Sequence, residues 1–434
     1  MLNPQLIETL LGVLIILTYS PFFRINFAKV ITLFLDLNDI IRYFILTLYN
    51  TIFQIFILCY MIYFDNAATS LIKPIQVKRA VMNALDHFTA NPGRSGHFKS
   101  MEVAEQIFDT REIVKNFFNA TDYDVIFTKN CTEALNLAIF GSLKSGDHVV
   151  TSCYEHNSVL RPLEYLKEKG VEVTVIDSDL IDFANELESS IKDNTKMVIC
   201  TMVSNVNGEF SDLNKISEVC KKHDIIYLVD GAQSSGHMQV DLKSTGVDMY
   251  AFAGHKGLLS ISGVGGLIVK KGINLRPILY GGTGTDSENL IQPTSIPEGL
   301  EAGTISSIPI ISLKEGISYI QKNFSNIIKK EENLSNYLYK SLKKLNFLTI
   351  YSKENAKNVI SFNMENVDSS YLANVLNEKY KICVRAGLHC APLIHKKLNT
   401  LESGAVRVSL DFNNTFDEID NLIMALKSIY LSLS

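Results

Sequence analysis

The chain has 434 residues, enough to bury a large core and to form more than one lobe. Its formal net charge is -5 with both signs interspersed, so composition gives no reason to propose a nucleic-acid partner. The seven cysteines include no CxxC pair and no cluster with histidine, which disfavours a metal site or a disulfide framework and favours a reducing, cytoplasmic compartment.

The first sixty residues differ in character from the rest. Residues 43–64 carry no charge and are long enough to span a bilayer, whereas residues 9–23 form a weaker apolar stretch. The long run passes without a linker into the polar segment 65–69, and Met61 stands at a natural start for a soluble enzyme. Two hypotheses stay open for residues 1–60, a membrane anchor or a start site assigned too far upstream. The catalytic domain is expected in the cytoplasm under both, with membrane contact only under the first.

From residue 61 onward, helical and strand patterns alternate, which is typical of a parallel α/β sheet. Helical periodicity predicts amphipathic helices over 75–90 and 100–118 and the start of another at Thr132. Apolar runs predict strands over 124–128, 148–152, 171–176, 196–203, 225–229, 250–253 and 265–269. Together they predict a mostly parallel sheet of about seven strands. A long helical pattern over 309–345 then leads to a smaller α+β lobe ending in a helix over 416–431.

These patterns divide the chain into three parts. Residues 1–60 are the hydrophobic extension, residues 61–308 a large α/β domain, and residues 309–434 a small C-terminal domain. The segment 61–80 could pack with the small domain. The sequence contains no internal repeat and no low-complexity linker.

Asp230 and Lys256 each close a short run that predicts a buried strand. An acidic residue at one strand end and a lysine at the next can converge on one crevice of a parallel sheet. A pyridine-aldehyde cofactor needs this pair, because an amine forms the Schiff base and a carboxylate keeps the ring nitrogen protonated. Each residue alone has an ordinary explanation, a turn cap for Asp230 and a surface position for Lys256. The pair favours pyridoxal phosphate.

Two polar segments follow predicted strands. In residues 130–133 the exposed N–H groups and positive dipole end of a helix suit a phosphate, and Thr132 adds a hydroxyl. Simple helix capping is the alternative there. His156 follows the strand at 148–152, where it could stack on a ring and handle protons, although a solvated loop histidine is the ordinary interpretation.

A further reactive segment lies far down the chain. Cys390 stands in a glycine-containing loop rather than an apolar strand, and neighbouring Arg385 and His389 would favour its reactive thiolate form. Arg407 is a single cation in an apolar strand and therefore requires an anion. A bidentate substrate α-carboxylate and an internal salt bridge both fit this arginine.

Taken together and in this order along the chain, the motifs are specific enough to indicate a family. They are 65–69, 131–136, Glu155-His156, 204–206, 230–233, 254–256, 301–304, 385–390 and Arg407. On these motifs the chain from about residue 61 to the C-terminus resembles the cysteine desulfurases of the class V, fold-type I aminotransferase superfamily, nearest the group with a short Arg-x-Gly-x-His-Cys-Ala loop. The resemblance implies a large pyridoxal-phosphate-dependent transferase domain with a smaller C-terminal lobe that carries the cysteine loop.

The resemblance also implies roles for individual residues. Lys256 would form the Schiff base and Asp230 would bind the ring nitrogen. The other implied cofactor contacts are His156 over the ring, Gln233 at the ring hydroxyl, Thr132 and His255 at the phosphate, and Cys131 and Asn205 beside them. Thr304 would reach the phosphate of the neighbouring subunit, so a homodimer with shared active sites is expected.

Substrate contacts follow from the same resemblance. Asn205 and Arg407 would hold the substrate carboxylate, and Asn91 and Arg94 lie where the family has an active-site segment. One residue departs from the family pattern, since Ala253 stands where a hydroxyl residue is usual. One phosphate contact is therefore expected to be lost.

The implied reaction converts L-cysteine to L-alanine. Lys256 moves the substrate α-proton, the Cys390 thiolate attacks the substrate sulfur, and the persulfide passes to an acceptor protein for iron–sulfur cluster assembly or another sulfur-using pathway. The enzymatic alternatives are a selenocysteine lyase, acting on L-selenocysteine, and another class V aminotransferase or lyase. A membrane-tethered, catalytically silent sulfur-transfer scaffold is the non-enzymatic alternative, against which the presence of both Lys256 and Cys390 argues.

Overall fold

The computed structural model describes residues 61–434 except Arg94, Asp286, Ser287 and Ser434. Backbone contacts divide the chain into Met1–Met61 and Ile62–Ser434, and the second unit contains the secondary structure described here. The anchor or start-site hypothesis for residues 1–60 lies outside the described residues. Across residues 61–433, no helix combines the length and hydropathy that crossing a bilayer requires.

Helices and strands alternate through the first two thirds of the described chain. The helices are α1 (Ile75–His87), α2 (Phe98–Phe117), α3 (Cys131–Ser142), α4 (Asn157–Lys167), α5 (Phe183–Ser190), α6 (Leu213–Lys222), α7 (Leu242–Thr245), α8 (Ser307–Lys343), α9 (Ser369–Tyr380), α10 (Pro392–Lys397) and α11 (Phe416–Leu433). The strands are β1 (Ile62–Tyr63), β2 (Tyr123–Thr128), β3 (His148–Ser152), β4 (Glu172–Ile176), β5 (Thr195–Thr201), β6 (Ile226–Asp230), β7 (Met249–Ala253), β8 (Gly265–Lys270), β9 (Leu348–Ile350), β10 (Val359–Met364), β11 (Ile382–Cys383), β12 (Arg385–Gly387) and β13 (Ala405–Ser409).

The large sheet has seven strands in the order β2-β8-β7-β6-β5-β3-β4. Neighbouring strands from β7 to β4 pair in parallel, whereas β8 runs antiparallel to both β7 and β2. This confirms the mostly parallel seven-stranded sheet expected from the apolar runs. Those runs are nearly continuous because the parallel strands are covered on both faces.

Two apolar clusters cover opposite faces of this sheet. Within β5, Val198 and Cys200 belong to one cluster, and Met197 and Ile199 belong to the other. All four side chains are fully buried, as expected where successive side chains of a strand point to opposite faces. The sheet is therefore a rigid central layer whose strand ends are available for chemistry.

The C-terminal lobe is α+β, as predicted. Its antiparallel sheet has the order β12-β13-β10-β9, and α9, α11 and the second half of α8 contribute to its core. The start of the described chain joins this lobe, because Ile62 and Tyr63 pair in parallel with β11. Asp65 follows this strand and forms an isolated bridge with Ser409 at the end of β13.

The direction of strand order reverses beside β3. The chain places β4 on one side of β3 and β5, β6 and β7 on the other. In an open α/β sheet such a reversal leaves a crevice outside the carboxyl ends of the strands, where ligands bind.

Candidate active site

A cleft lies at the carboxyl edge of the central sheet, next to this reversal. It contains about 510 Å³ of space not filled by protein atoms, part of which is open to solvent. Its walls include many of the side chains singled out from the sequence, namely Cys131, Thr132, His156, Asn205, Asp230, Gln233, His255 and Lys256. They come from distant segments but meet here because parallel strands end at the same edge.

Lys256 follows β7 and its half-buried side chain enters the cleft. Burial lowers the pKa of its ammonium group, and the opposite charge of Asp230 moderates that shift. Among the described residues no hydrogen bond reaches Nζ. An amine with a lowered pKa and no hydrogen-bond partner is suited to react with an aldehyde. The turn after it requires glycine, since a Cβ at Gly257 would collide with the Ser235 carbonyl.

Asp230 is the last residue of β6 and is 4 % exposed. Its Oδ1 accepts a hydrogen bond from the Ala232 N–H at 2.9 Å and is 3.7 Å from the Cys131 sulfur. Burial, and next the charge of Asp230, raise the pKa of the Cys131 thiol, so this thiol is a neutral donor to the carboxylate. In the described part of the chain no hydrogen bond reaches Oδ2, which remains available for a protonated ring nitrogen.

The N-terminus of α3 forms the polar end of the cleft. The Asn130 side chain caps the helix by accepting from the Glu133 N–H at 2.9 Å. A Cβ at Gly265 would lie 2.8 Å from the Cys131 nitrogen, so glycine in β8 lets the strand approach this turn. Thr132 lies at the same end, with its Oγ1 2.8 Å from Ser158 Oγ. Helix N–H groups and two hydroxyls make a suitable place for a phosphate, and capping and anion binding are compatible here.

His156 is not a solvated loop residue. It caps the N-terminus of α4, where Nδ1 accepts from the Ser158 N–H at 3.0 Å. Burial lowers the pKa of its ring. The neutral ring therefore carries its proton on Nε2, because a nitrogen that accepts from a backbone N–H has none.

His255 and Gln233 join the cleft to the start of the described chain. His255 Nδ1 lies 3.1 Å from Thr69 Oγ1, and burial lowers the pKa of this histidine to about 4. Gln233 donates from Nε2 to the Ala67 carbonyl at 3.0 Å, which leaves its side-chain oxygen to accept from a ligand. Ala253 lines the same cleft and brings no hydroxyl to it.

Arg407 lies in β13 with its guanidinium 1 % exposed. It donates from Nη2 to Asp65 Oδ1 at 2.6 Å and from Nη1 to the Asn205 carbonyl at 2.9 Å. Its Nε is buried without a hydrogen-bond partner among the described residues. The internal salt bridge considered from the sequence is therefore present, and one donor remains for a further anion.

The Cys390 loop is attached to the edge of the cleft by its backbone. The Asn157 N–H donates to the Cys390 carbonyl at 2.6 Å, and Asn205 Nδ2 donates to the His389 carbonyl at 2.7 Å. Arg385 Nη2 lies 3.8 Å from Cys390 Sγ, and the cysteine is partly exposed. The structure thus brings the cysteine loop beside His156 and Asn205, which belong to the cleft.

One expectation for this loop is wrong. His389 was expected to favour the Cys390 thiolate as a cation, but burial and nearby Arg407 lower its pKa to about 2. A neutral imidazole supplies no such charge. Of the two residues expected to place a positive charge beside the sulfur, Arg385 and His389, only Arg385 does so.

Among the remaining predicted residues, the described ones, Asn91 and Thr304, do not line the cleft in a single chain. Asn91 is exposed, and its carbonyl accepts from Ser100 Oγ at the start of α2. Arg94 lies outside the described residues. Thr304 is exposed, on a segment held by a buried ion pair between Arg111 and Glu301 at 2.8 Å.

Two polar residues of the site received no role from the sequence. Ser158 contacts both Thr132 and His156, and the His-x-Ser spacing at a helix start was the available signal. Glu155 is fully buried, and its Oε1 accepts from Ser152 Oγ at 2.6 Å and from the Thr201 N–H at 2.8 Å. Burial raises the pKa of Glu155 to about 8. The sequence shows that Glu155 directly precedes His156, but it does not reveal that Glu155 is buried.

The cleft fits a phosphorylated pyridine aldehyde. Lys256 offers an amine without a hydrogen-bond partner, Asp230 offers a carboxylate oxygen to the ring nitrogen, and the start of α3 offers donors to a phosphate. These are the groups that such a cofactor requires.

Comparison with known proteins gives a consistent result. The aminotransferase class-V family model matches residues 62–422. A probable cysteine desulfurase of Methanothermobacter thermautotrophicus is 34% identical over 379 residues, covering 85% of this chain and 94% of the relative. Another, of Pyrococcus abyssi, is 35% identical and covers 86% of this chain and 95% of the relative.

Solved structures agree with the sequence relatives. The apo structure of a cysteine desulfurase from Thermococcus onnurineus matches with a TM-score of 0.77 and 31% identity, covering 85% of this chain and 94% of that one. A cysteine desulfurase from Escherichia coli matches with a TM-score of 0.73 and 25% identity, over 85% and 94% of the two chains. The chain belongs to the aminotransferase class-V family and, within it, to the pyridoxal-phosphate-dependent cysteine desulfurases.

Proposed function

We propose that the protein takes the sulfur atom from L-cysteine, releases L-alanine and holds the sulfur as a persulfide on Cys390. One observation carries the proposal: the Lys256–Asp230 cleft and the Cys390 loop meet at the same sheet edge, joined through Asn205 and Asn157. Lys256 and Asp230 are suited to cofactor-assisted proton transfer at a substrate α-carbon, and the cysteine is suited to nucleophilic attack on a sulfur atom.

Pyridoxal phosphate bound in the cleft supplies an electron sink for bonds at the substrate α-carbon. Lys256 would hold it covalently, Asp230 would keep its ring nitrogen protonated, and Thr132 with the start of α3 would hold its phosphate. Once the substrate amine replaces Lys256 on the cofactor, the freed Lys256 amine would take the α-proton and return it, since its lowered pKa leaves more of the neutral base than an ordinary lysine has. His156, as the neutral Nε2–H form, would cover the ring without adding positive charge.

Arg407 and Asn205 would hold the substrate carboxylate. The Nε of Arg407 is a buried donor with no acceptor in the described residues, although Nη1 and Nη2 are engaged. A buried donor without an acceptor costs about 1–3 kcal/mol, which a substrate carboxylate would recover. Substrate binding would in this way orient the thiol side chain of L-cysteine relative to the Cys390 loop.

Sulfur transfer would be a displacement at the substrate sulfur. The Cys390 thiolate forms the S–S bond as the substrate C–S bond breaks, and the carbon keeps the electron pair. Protonation of that carbon gives L-alanine, so atoms and electrons balance without an added oxidant. Arg385 Nη2 lies 3.8 Å from Sγ, so a cation stands beside the attacking sulfur.

Two partners complete the proposal. The persulfide would pass to an acceptor protein with a thiol, in iron–sulfur cluster assembly or another sulfur-using pathway, within the cytoplasm. A second copy of the chain would bring its Thr304 to the phosphate, which accounts for an exposed Thr304 in the single chain. Partial accessibility of Cys390 supports transfer of the persulfide sulfur to a separate protein.

The test is incubation of the purified protein with L-cysteine and a thiol reductant. We expect sulfide and L-alanine in equal amounts, and we expect Lys256→Ala to lose both products together with the visible absorbance of the bound cofactor. Lys78→Ala, an exposed lysine of α1, is the matched control. A keto acid formed without sulfide would indicate another class V reaction. Much faster turnover of L-selenocysteine would indicate a selenocysteine lyase.

A further inference from the structure

A chain of three polar side chains lies behind the Cys390 loop. Thr400 Oγ1 is 2.8 Å from His395 Nδ1, and His395 Nε2 is 3.3 Å from His389 Nδ1. His389 Nε2 is 3.5 Å from the Arg385 carbonyl. The two rings are stacked with centroids 5.5 Å apart, and all three side chains are no more than 2 % exposed.

One assignment of protons satisfies the three contacts just given, with the single proton of the Thr400 hydroxyl on the 2.8 Å contact to His395 Nδ1 rather than on the 3.4 Å contact to the His395 carbonyl. A carbonyl can only accept, so His389 Nε2 carries a proton and its Nδ1, in a neutral ring, accepts from His395 Nε2–H. His395 Nδ1 must then accept from the Thr400 hydroxyl. Burial lowers the pKa of His389 to about 2 and that of His395 to about 4, so both rings are neutral near pH 7.

The loop that this chain supports has an unusual backbone. His389 and Cys390 are consecutive non-glycine residues in the left-handed region, with φ of 49° and 58°. Such residues persist only where surrounding contacts determine them. Here both carbonyls are held from the large domain, by Asn205 and Asn157, and the imidazole of His389 is held from behind by His395.

We propose that His395 is a positioning residue for sulfur transfer, fixing His389 and through it the left-handed turn that presents Cys390. The inference rests on the proposed role of Cys390 and adds the element that aims its thiol. His395 lies in α10, directly beyond the loop, and contacts neither the cleft nor Cys390 Sγ in the described hydrogen bonds. Its effect therefore passes through the conformation of the loop.

The position of a nucleophile affects rate more than substrate affinity. An error of about 1 Å in placing a reacting atom can lower a rate roughly a hundredfold. Loss of the His395 donor should therefore reduce the rate of sulfur transfer and leave the affinity for L-cysteine nearly unchanged. Steps that use Lys256 alone should continue.

The experiment compares His395→Leu with His395→Gln in the cofactor-loaded protein. The glutamine amide can place a donor near the position of Nε2, whereas leucine cannot. We expect His395→Leu to lower kcat for sulfide release roughly tenfold to a hundredfold, to change KM less than about twofold, and to be largely rescued by His395→Gln. Exchange of the α-hydrogen of L-alanine in heavy water should stay at the wild-type rate.

One further measurement does not depend on turnover, and a second variant supports the kinetic comparison. The rate of Cys390 alkylation by iodoacetamide, followed by mass spectrometry, should change in His395→Leu and return towards the wild-type rate in His395→Gln. Thr400→Val removes the hydroxyl that orients His395 and should lower kcat in the same direction by a smaller factor, which keeps the test available if His395→Leu does not fold.

Several results would overturn the inference. Wild-type kcat in both His395→Leu and Thr400→Val would do so, as would a glutamine variant no better than leucine. Loss of α-hydrogen exchange together with sulfide release would point to general damage of the site instead. Failure of the proposed function itself looks different, because in that case wild-type protein and Cys390→Ala would release sulfide equally.

Discussion

Buried Arg407 and partly buried Asp65 form an ion pair between the last strand of the C-terminal lobe and the segment that follows the first described strand. The guanidinium Nη2 and Asp65 Oδ1 are 2.6 Å apart, and the arginine side chain is 1 % exposed. A buried charge is tolerated when it is paired and hydrogen-bonded. The pair thus holds in place the cation that we propose for the substrate carboxylate. Arg407 therefore has two roles, stabilisation of the fold and substrate binding.

Arg407→Lys separates these two roles. Lysine keeps the charge but loses the planar fork of donors, so we expect KM for L-cysteine to rise roughly tenfold or more, the equivalent of one charged hydrogen bond. Steady-state kinetics and thermal unfolding measure the two roles side by side. Arg161→Lys, at an exposed position of α4, is the control. Reduced stability with an unchanged KM would show that Arg407 is structural only.

Glu155→Gln should change how stability depends on pH. The pKa of Glu155 is raised from 4.5 to about 8 by burial, so the folded protein holds this proton more tightly than the unfolded chain. The stabilisation is complete below pH 4.5 and is lost as pH rises through about 8. The wild type should lose at most about 1.4 kcal/mol per pH unit across this window through this group.

The glutamine variant lacks this titration and keeps an acceptor for Ser152 and Thr201. Denaturant unfolding between pH 5 and about 8 should therefore show a shallower pH slope for Glu155→Gln than for the wild type. Glu164→Gln, an exposed residue of α4, should retain the wild-type slope. Equal slopes for all three proteins would contradict a neutral buried Glu155.

Ala253→Ser should strengthen cofactor binding. Ala253 lines the cleft. The family pattern has a hydroxyl residue at this position, and we expect a serine here to contribute one hydrogen bond to the cofactor phosphate. One hydrogen bond is worth about 1 kcal/mol, which corresponds to roughly fivefold tighter binding. Titration of pyridoxal phosphate into the cofactor-free protein measures this. Ala253→Cys, with a weaker donor of similar size, should gain less, and no gain for serine would place the phosphate elsewhere.

Cys390→Ala should stop sulfide release and leave α-hydrogen exchange intact. The substitution removes the nucleophile but none of the contacts made by the Cys390 carbonyl or by Lys256. Sulfide release is measured with L-cysteine as substrate, and α-hydrogen exchange is measured with L-alanine in heavy water. Cys383→Ala, at the neighbouring β11, should behave as wild type. Alanine release with sulfur transfer in Cys390→Ala would refute the persulfide route.

Thr304→Val should weaken cofactor binding only if two chains share each site. Thr304 is exposed and lines no part of the cleft in its own chain, so an effect on affinity requires a second copy. We expect a dimer by sedimentation and a roughly fivefold loss of affinity for pyridoxal phosphate, the value of one hydrogen bond. Thr121→Val, also exposed, is the control. A monomer with unchanged affinity would exclude the shared site.

The central sheet was predictable because its strands are continuous apolar runs. The observed β3 matches the predicted 148–152, and β6 differs from the predicted 225–229 by one residue at each end. The prediction for β5 extended to residue 203, but the strand ends at Thr201, after which Val203 bridges to Phe210. Apolar character continues past the point where pairing stops, so composition alone does not locate that end.

The chemistry of the site was predictable where it depends on residue type and strand position, as for Asp230 and Lys256. It was not predictable where it depends on burial by distant segments. The neutral His389 results from burial and from Arg407, which lies in β13, a separate element. The pKa of Glu155 is likewise raised because the fold buries this side chain away from water. Neither environment leaves a local pattern in sequence.

Asn205 connects two functions in one side chain and its backbone. Its amide holds the His389 carbonyl of the sulfur-accepting loop, while its own carbonyl accepts from Arg407. A mutational path that retunes substrate choice through this residue would also move the nucleophile. A substitution of the Asn205 side chain would remove the donor to the His389 carbonyl and keep the backbone contact to Arg407, so we expect variants here to affect the cysteine loop first.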